Sequence, residues 1–174
     1  MMMNSVEQHR NEAPARVNCM IITVSDTRTP ETDKSGSLMK ELLEANGHQV
    51  TGYRIVKDEY EPLRRLLLES AEHPEAEAVL LNGGTGIALR DTTYEAVRDT
   101  LDKEMPGFGE IFRYLSFTED IGTAAILSRA VAGVIGGIAV FSVPGSTGAV
   151  RLAMNRIIIP ELGHVIREIR KDRK

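Results

Sequence analysis

The chain has 174 residues, 42% of them hydrophobic, with 21 basic against 25 acidic side chains for a net charge of −4. That length suits one well-buried core and is short for two, and the acidic balance gives no footprint for nucleic acid. The longest apolar run, residues 130–141, has 12 residues with two central glycines, against ~20 needed to span a bilayer, so no membrane partner is expected.

Residues 1–16 are polar and lack the apolar stretch of a signal peptide. They are expected to form a flexible N-terminal tail ahead of a single domain over residues 17–174. The one cysteine, Cys19, sits in an apolar run and reads as a small buried hydrophobe, which fits a reducing cytoplasm.

Residues 18–25 (NCMIITVS) are continuously apolar and β-branched, the pattern of a parallel strand covered on both faces. The run ends in Ser25-Asp26-Thr27-Arg28. Ligands of open α/β sheets bind beyond the carboxyl ends of strands, although the same cluster also reads as a turn. Asp33 precedes a helix over residues 34–46, in which Leu38, Leu42, Leu43 and Asn46 fall at helical spacing and Gly47 supplies the stop. Residues 49–56 alternate as a second strand and end in Lys57-Asp58-Glu59. Pro62 suits the first position of a second helix, with Leu63, Leu66, Leu67 and Ser70 on one face.

Residues 79–96 read as strand, loop, helix. An apolar run enters Gly83-Gly84-Thr85-Gly86 and leaves through Arg90-Asp91-Thr92-Thr93 into a helical pattern ending near Leu101. Glycines allow φ > 0 and let backbone N–H groups approach an oxyanion, and a helix N-terminus adds its own free donors. Asp91 is placed to cap the helix, to bind a metal, or to do both. Neither a dinucleotide fingerprint nor a P-loop is present, because Leu89 stands at the third glycine position and no Gly-Lys-Ser/Thr follows. A plain glycine turn with a capping Asp remains the alternative.

Residues 105–117 (MPGFGEIFRYLSF) hold a short helix whose aromatics suit packing, and residues 121–130 fit helix or loop equally. Two β-branched runs flanking Gly136-Gly137 read as a hairpin, which puts one antiparallel strand into an otherwise parallel sheet. Pro144-Gly145-Ser146-Thr147-Gly148 is a second glycine turn between strand and helix, with Ser146 or Thr147 as N-cap. A final helical stripe runs through Leu162, Val165, Ile166 and Ile169, restarted at Pro160. His9, His48, His73 and His164 show no metal-ligand spacing with one another or with Cys19, and no Gly-x-Ser-x-Gly elbow occurs, so neither zinc nor serine-nucleophile chemistry is expected.

Across residues 17–170 these motifs stand together in an order that resembles the MoaB/MogA family of molybdenum cofactor biosynthesis. They are Ser25-Asp26-Thr27-Arg28, Asp33-Lys34-Ser35-Gly36, Asp58, the Gly83–Gly86 loop with Arg90-Asp91, Met105 to Glu110, Leu127-Ser128-Arg129 and Pro144-Gly145-Ser146. The details at residues 25–29, 115–117 and 144–147 look more like the MoaB branch. Two positions depart from the family pattern: Tyr94 stands where a proline often follows the threonine, and Ser146 where the MogA-like branch carries an amide.

The resemblance implies a three-layer α/β/α fold with a mostly parallel sheet and one antiparallel strand. It implies a Mg-dependent adenylyltransferase that joins molybdopterin to the α-phosphate of ATP and releases pyrophosphate; a non-catalytic molybdopterin-binding protein of the same pathway is the alternative. Asp58 and Asp91 match the family's essential acids and implied Mg²⁺ ligands. Ser25, Asp26, Gly83, Gly84, Thr85, Gly86, Arg90, Glu110, Ser128, Arg129, Pro144, Gly145 and Ser146 are the implied molybdopterin, phosphate and nucleotide contacts. The implied partners are molybdopterin, ATP, further copies of the chain as a homotrimer or homohexamer, and other proteins of the pathway.

Overall fold

Strands that must bury both faces alternate their side chains between two cores, and three runs of this chain do so. The computed structural model describes residues 5–173. In β1 (Asn18–Val24), Cys19 and Ile21 enter one core while Ile22 and Val24 enter the other. In β3 (Ala78–Asn82) and β6 (Ile138–Val143) every residue is buried. With β2 (Gln49–Val56) they make the parallel part of a six-stranded sheet ordered β2-β1-β3-β6-β5-β4.

Helices α2 (Lys34–Ala45), α5 (Pro106–Glu119), α6 (Thr147–Ala153) and α7 (Ile159–Arg170) cover one face of the sheet. Helices α3 (Tyr60–Glu72) and α4 (Thr93–Thr100) cover the other. The three-layer α/β/α expectation is met. The hairpin forms as read, with β5 (Val131–Ile135) antiparallel to β6 and positive φ at Gly136 and Gly137. A short edge strand, β4 (Lys103–Glu104), pairs antiparallel to β5 and so runs with the parallel set.

Four local readings change. Residues 1–4 of the expected tail lie outside the described residues, but Ser5–Asn11 forms a helix, α1, with none of its residues buried. Ion pairs tie it down, Arg10 to Glu161 and the adjoining Glu12 to Arg167, so polarity here marks a docked surface helix. Pro62 is the third residue of α3, where its missing N–H also costs no helical bond. The undecided stretch after α5 is a 3-10 turn, Gly122–Leu127. A π-turn, Met154–Ile158, joins α6 to α7 just ahead of Pro160, which cannot donate in an α-helical ladder.

Candidate functional site

The carboxyl ends of β1, β2, β3 and β6 meet on one rim, and their packing leaves no room for side chains at the centre. Gly83 has φ 103 and a Cβ there would lie 2.1 Å from the Val24 carbonyl oxygen. At Gly84, φ is 66 and a Cβ would lie 2.0 Å from Thr93 Oγ1 and 2.4 Å from Asp58 Oδ2. Only glycine fits this conformation and this space. The loop is thereby pressed against the acid from the end of β2, two strands away.

Asp58 is buried and serves α4 as a cap supplied from elsewhere in the chain. Its Oδ1 accepts from Thr92 N at 3.0 Å, Thr92 Oγ1 at 2.8 Å and Thr93 Oγ1 at 3.3 Å. Asp91 does not cap the helix, which corrects that reading of it: its Oδ2 accepts from Ala88 N at 3.0 Å and closes the loop on itself. Asp91 Oδ2 also lies 2.6 Å from where a Gly86 Cβ would stand. Chain donors therefore engage one oxygen of each acid and leave the other for a hard cation, which takes few protein carboxylates and fills its remaining positions with water and phosphate oxygens. The donor set fits Mg²⁺.

Three arginines of the rim are already paired with carboxylates. Arg90 reaches Asp26 with Nε at 2.8 Å and Nη2 at 3.0 Å, and those hydrogen bonds hold the Asp26 carboxyl below its usual range. Arg129 pairs with Glu95, lies 4.9 Å over the Tyr94 ring, and clamps the loop through Gly86 O at 2.8 Å and Asp91 O at 3.1 Å. Its backbone N donates to Thr85 O at 3.1 Å. Arg28 spans three loops at once, bonding Asp33 and Asn82 at 3.4 Å each, Ser35, and Gly145 O at 2.7 Å.

Ser25, Asp26, Asp58, Gly83 to Gly86, Arg90, Asp91 and Pro144 to Ser146 thus gather at one rim. Ser25 Oγ accepts from Thr27 N and Arg28 N and shapes the β1 turn. Ser146 is the N-cap of α6, its Oγ accepting from Ala149 N at 3.1 Å. Glu110 and Ser128 are separate from this rim. They line a hollow of about 330 Å³ with Tyr94, Met105 and Arg113, and Arg129 forms part of its wall.

Residues 20–164 match the family described as "Probable molybdopterin binding domain". The chain is 75% identical over 169 residues to molybdenum cofactor biosynthesis protein B of Halalkalibacterium halodurans, covering 97% of this chain and 99% of the relative. It is 63% identical over the same length to the protein of that name in Bacillus subtilis, again covering 97% and 99%. The chain belongs to the MoaB/MogA family. A crystal structure of a molybdenum cofactor biosynthesis protein B superposes with a TM-score of 0.89 at 56% identity, covering 92% of this chain and 99% of that one.

Within this MoaB/MogA chain, the residues that residue-by-residue reading passes over are the ones that hold the rim in shape. Asn82 ends β3 fully buried, donating to Thr23 Oγ1 at 2.9 Å and accepting from Ser35 Oγ at 2.8 Å. Burial pushes the Asp33 carboxyl up, yet hydrogen bonds from Thr23, Tyr53, Gly36 and Ser35 outweigh it and hold the group below the carboxylate range. A polar residue closing an apolar strand was the available signal for Asn82.

Proposed function

We propose that this chain binds molybdopterin and transfers to it an adenylyl group from ATP, using Mg²⁺ held by Asp58 and Asp91. One observation carries the reading: the Asp58 carboxylate is seated against the Gly83–Gly86 loop and the first turn of α4, so an acid and a backbone anion cradle share one site. Arg28, Arg90 and Arg129 each already face a carboxylate, so a divalent ion would meet much of the phosphates' charge, with Lys57 at the β2 end beside it. When bound, Mg²⁺ neutralises the phosphates and the charge that develops on the leaving group.

In the reaction, a terminal phosphate oxygen of molybdopterin forms a bond to the α-phosphorus of ATP. The bond from that phosphorus to the bridging oxygen breaks, and pyrophosphate leaves with the electron pair. The chain holds the two polyanions in line through loop N–H groups, while Asp58 and Asp91 orient the metal. Self-association into a trimer or hexamer, and contact with other proteins of the pathway, belong to the same reading.

The test is single-turnover formation of adenylyl-molybdopterin at saturating ATP and varied Mg²⁺, read by mass spectrometry. Asp58→Asn and Asp91→Asn are each expected to cut transfer by orders of magnitude while molybdopterin binding survives. Asp58→Asn also weakens the α4 cap and costs about 1 kcal/mol of stability, whereas Asp91→Asn costs less. Near-wild-type turnover in both variants would sink the assignment. An inactive wild type that still binds molybdopterin makes the chain a non-catalytic binding protein.

A further inference from the structure

At the opposite end of the molecule from the strand rim, α1 lies against α7 and brings together three side chains with metal-binding donors. His9, His164 and Glu168 each offer one ligand atom, and these atoms all lie within 4.8 Å of one another. His164 and Glu168 stand four residues apart and so share one face of α7. His9 comes from α1, its ring centroid 5.9 Å from that of His164 and its Nδ1 3.6 Å from Glu168 Oε1. Spacing along the chain cannot announce such a set, because its members come from the two ends of the sequence.

A further carboxylate makes this more than a surface coincidence. Glu161, one turn before His164 on α7, lies 2.8 Å from His164 Nδ1. Between a neutral imidazole and a carboxylate the imidazole must donate, which fixes the Nδ1–H tautomer and leaves the Nε2 lone pair for a metal. A carboxylate behind a ligating histidine is the usual second layer of a zinc site. Arg10 in turn pairs with Glu161 and holds it in place. The competing partners of Glu168 are the exposed Lys171 and the partly exposed Arg167, solvent-screened pairs that a metal can displace.

We propose that His9, His164 and Glu168 form a binding site for a late first-row divalent cation such as Zn²⁺, which clasps α1 to α7. Two imidazoles and one carboxylate are a zinc-type donor set with a fourth position open to water, and they disfavour the all-oxygen ions Mg²⁺ and Ca²⁺. Closing on the ion requires the donor atoms to draw together, and α1, which has no buried residue and is held to α7 through surface ion pairs, can make that adjustment without disturbing the core. The site is separate from Asp58 and Asp91 in both place and chemistry.

The experiment uses tag-free, chelator-stripped full-length protein titrated with Zn²⁺ against a chromophoric competitor, with Co²⁺ absorption as a second probe. One saturable Zn²⁺ per chain is expected, with the intense visible bands of low-coordinate Co²⁺ and a raised melting temperature. His9→Ala and His164→Ala should each weaken binding at least about tenfold, and Glu161→Gln roughly 10–100-fold. Because α1 buries nothing, His9→Ala keeps the fold, which circular dichroism verifies. Asp91→Asn should leave this Zn²⁺ affinity unchanged. The proposal is overturned if no saturable binding occurs at micromolar Zn²⁺, or if His164→Ala binds as the wild type does. Loss that follows Asp91→Asn in place of the histidine variants overturns it equally.

Discussion

At the scale of single residues, burial decides how a polar group behaves. His48 is partly buried and its Nδ1 accepts from Val17 N at 3.2 Å, which only the neutral ring can do. Burial lowers its pKa below the ordinary 6.5. In the unfolded chain the ring takes up a proton near 6.5, in the fold only at lower pH, so the unfolded state binds more protons in between. Its contribution is complete above about pH 6.5 and declines as pH falls from there toward the folded-state pKa. Denaturant midpoints between about pH 7.5 and about pH 5.5 should therefore drop more for the wild type than for His48→Gln, which cannot titrate. Equal slopes would remove His48 from the account. Arg28 offers a second case. Arg28→Met takes away the cation paired with the Asp33 carboxylate, whose side chain is fully buried, leaves it its neutral donors, and should cost about 1–2 kcal/mol in a denaturant titration. Arg28→Lys should recover part of that loss but not the bridge to Gly145, since one ammonium cannot span the fork. A methionine variant as stable as the wild type would show that Asp33 needs no cation.

Among the elements, the glycine loop has the narrowest tolerance. Gly84→Ala places a Cβ in left-handed backbone and against both Thr93 and the Asp58 carboxylate, so the expected result is a loss of at least about 1 kcal/mol together with most transfer activity. Gly86 has no positive φ and its Cβ would meet the movable Asp91 side chain, so Gly86→Ala should be milder in a melting curve. The reverse order would contradict this loop geometry. Here the limits of sequence reading become clear. The parallel strands, their order of appearance and the hairpin were legible, because continuous apolar runs and Gly136-Gly137 have few other uses. The cap of α4 was not, since its acceptor Asp58 lies 34 residues upstream of Thr92 and only the sheet brings the two together. Lys103-Glu104 carries no strand pattern and becomes one only by pairing with Val134 and Gly133. The glycine turns were legible as turns at the strand ends, whereas the network that stiffens the rim, Arg28 with Asn82 and Ser35, depends on contacts between distant segments.

For the whole molecule, the question is which apolar surface is left uncovered. The apolar 130–141 hairpin is nearly all buried between β4, β3 and the flanking helices. Most of the exposed large apolar side chains among the described residues lie instead on α5 and the turn after it. Phe108 and Phe112 of α5 face the core, while Ile111, Tyr114 and Phe117, spaced three apart, face outward. Ile121, Ile126 and Leu127 continue the patch, with Ile126 83% exposed. Apolar groups gathered this way mark an interface more often than a free surface. Head-to-tail contacts through such a face close into a ring when the rotation permits, which suits a trimer or a pair of stacked trimers. Sedimentation at micromolar concentration should accordingly give a trimer or a hexamer for the wild type. Ile126→Asp combined with Tyr114→Glu should shift it to smaller species with the far-ultraviolet spectrum unchanged, because neither side chain contributes to the core. A wild type that sediments as a monomer or dimer would refute the assembly, and an intact trimer in the double variant would move the interface to another face.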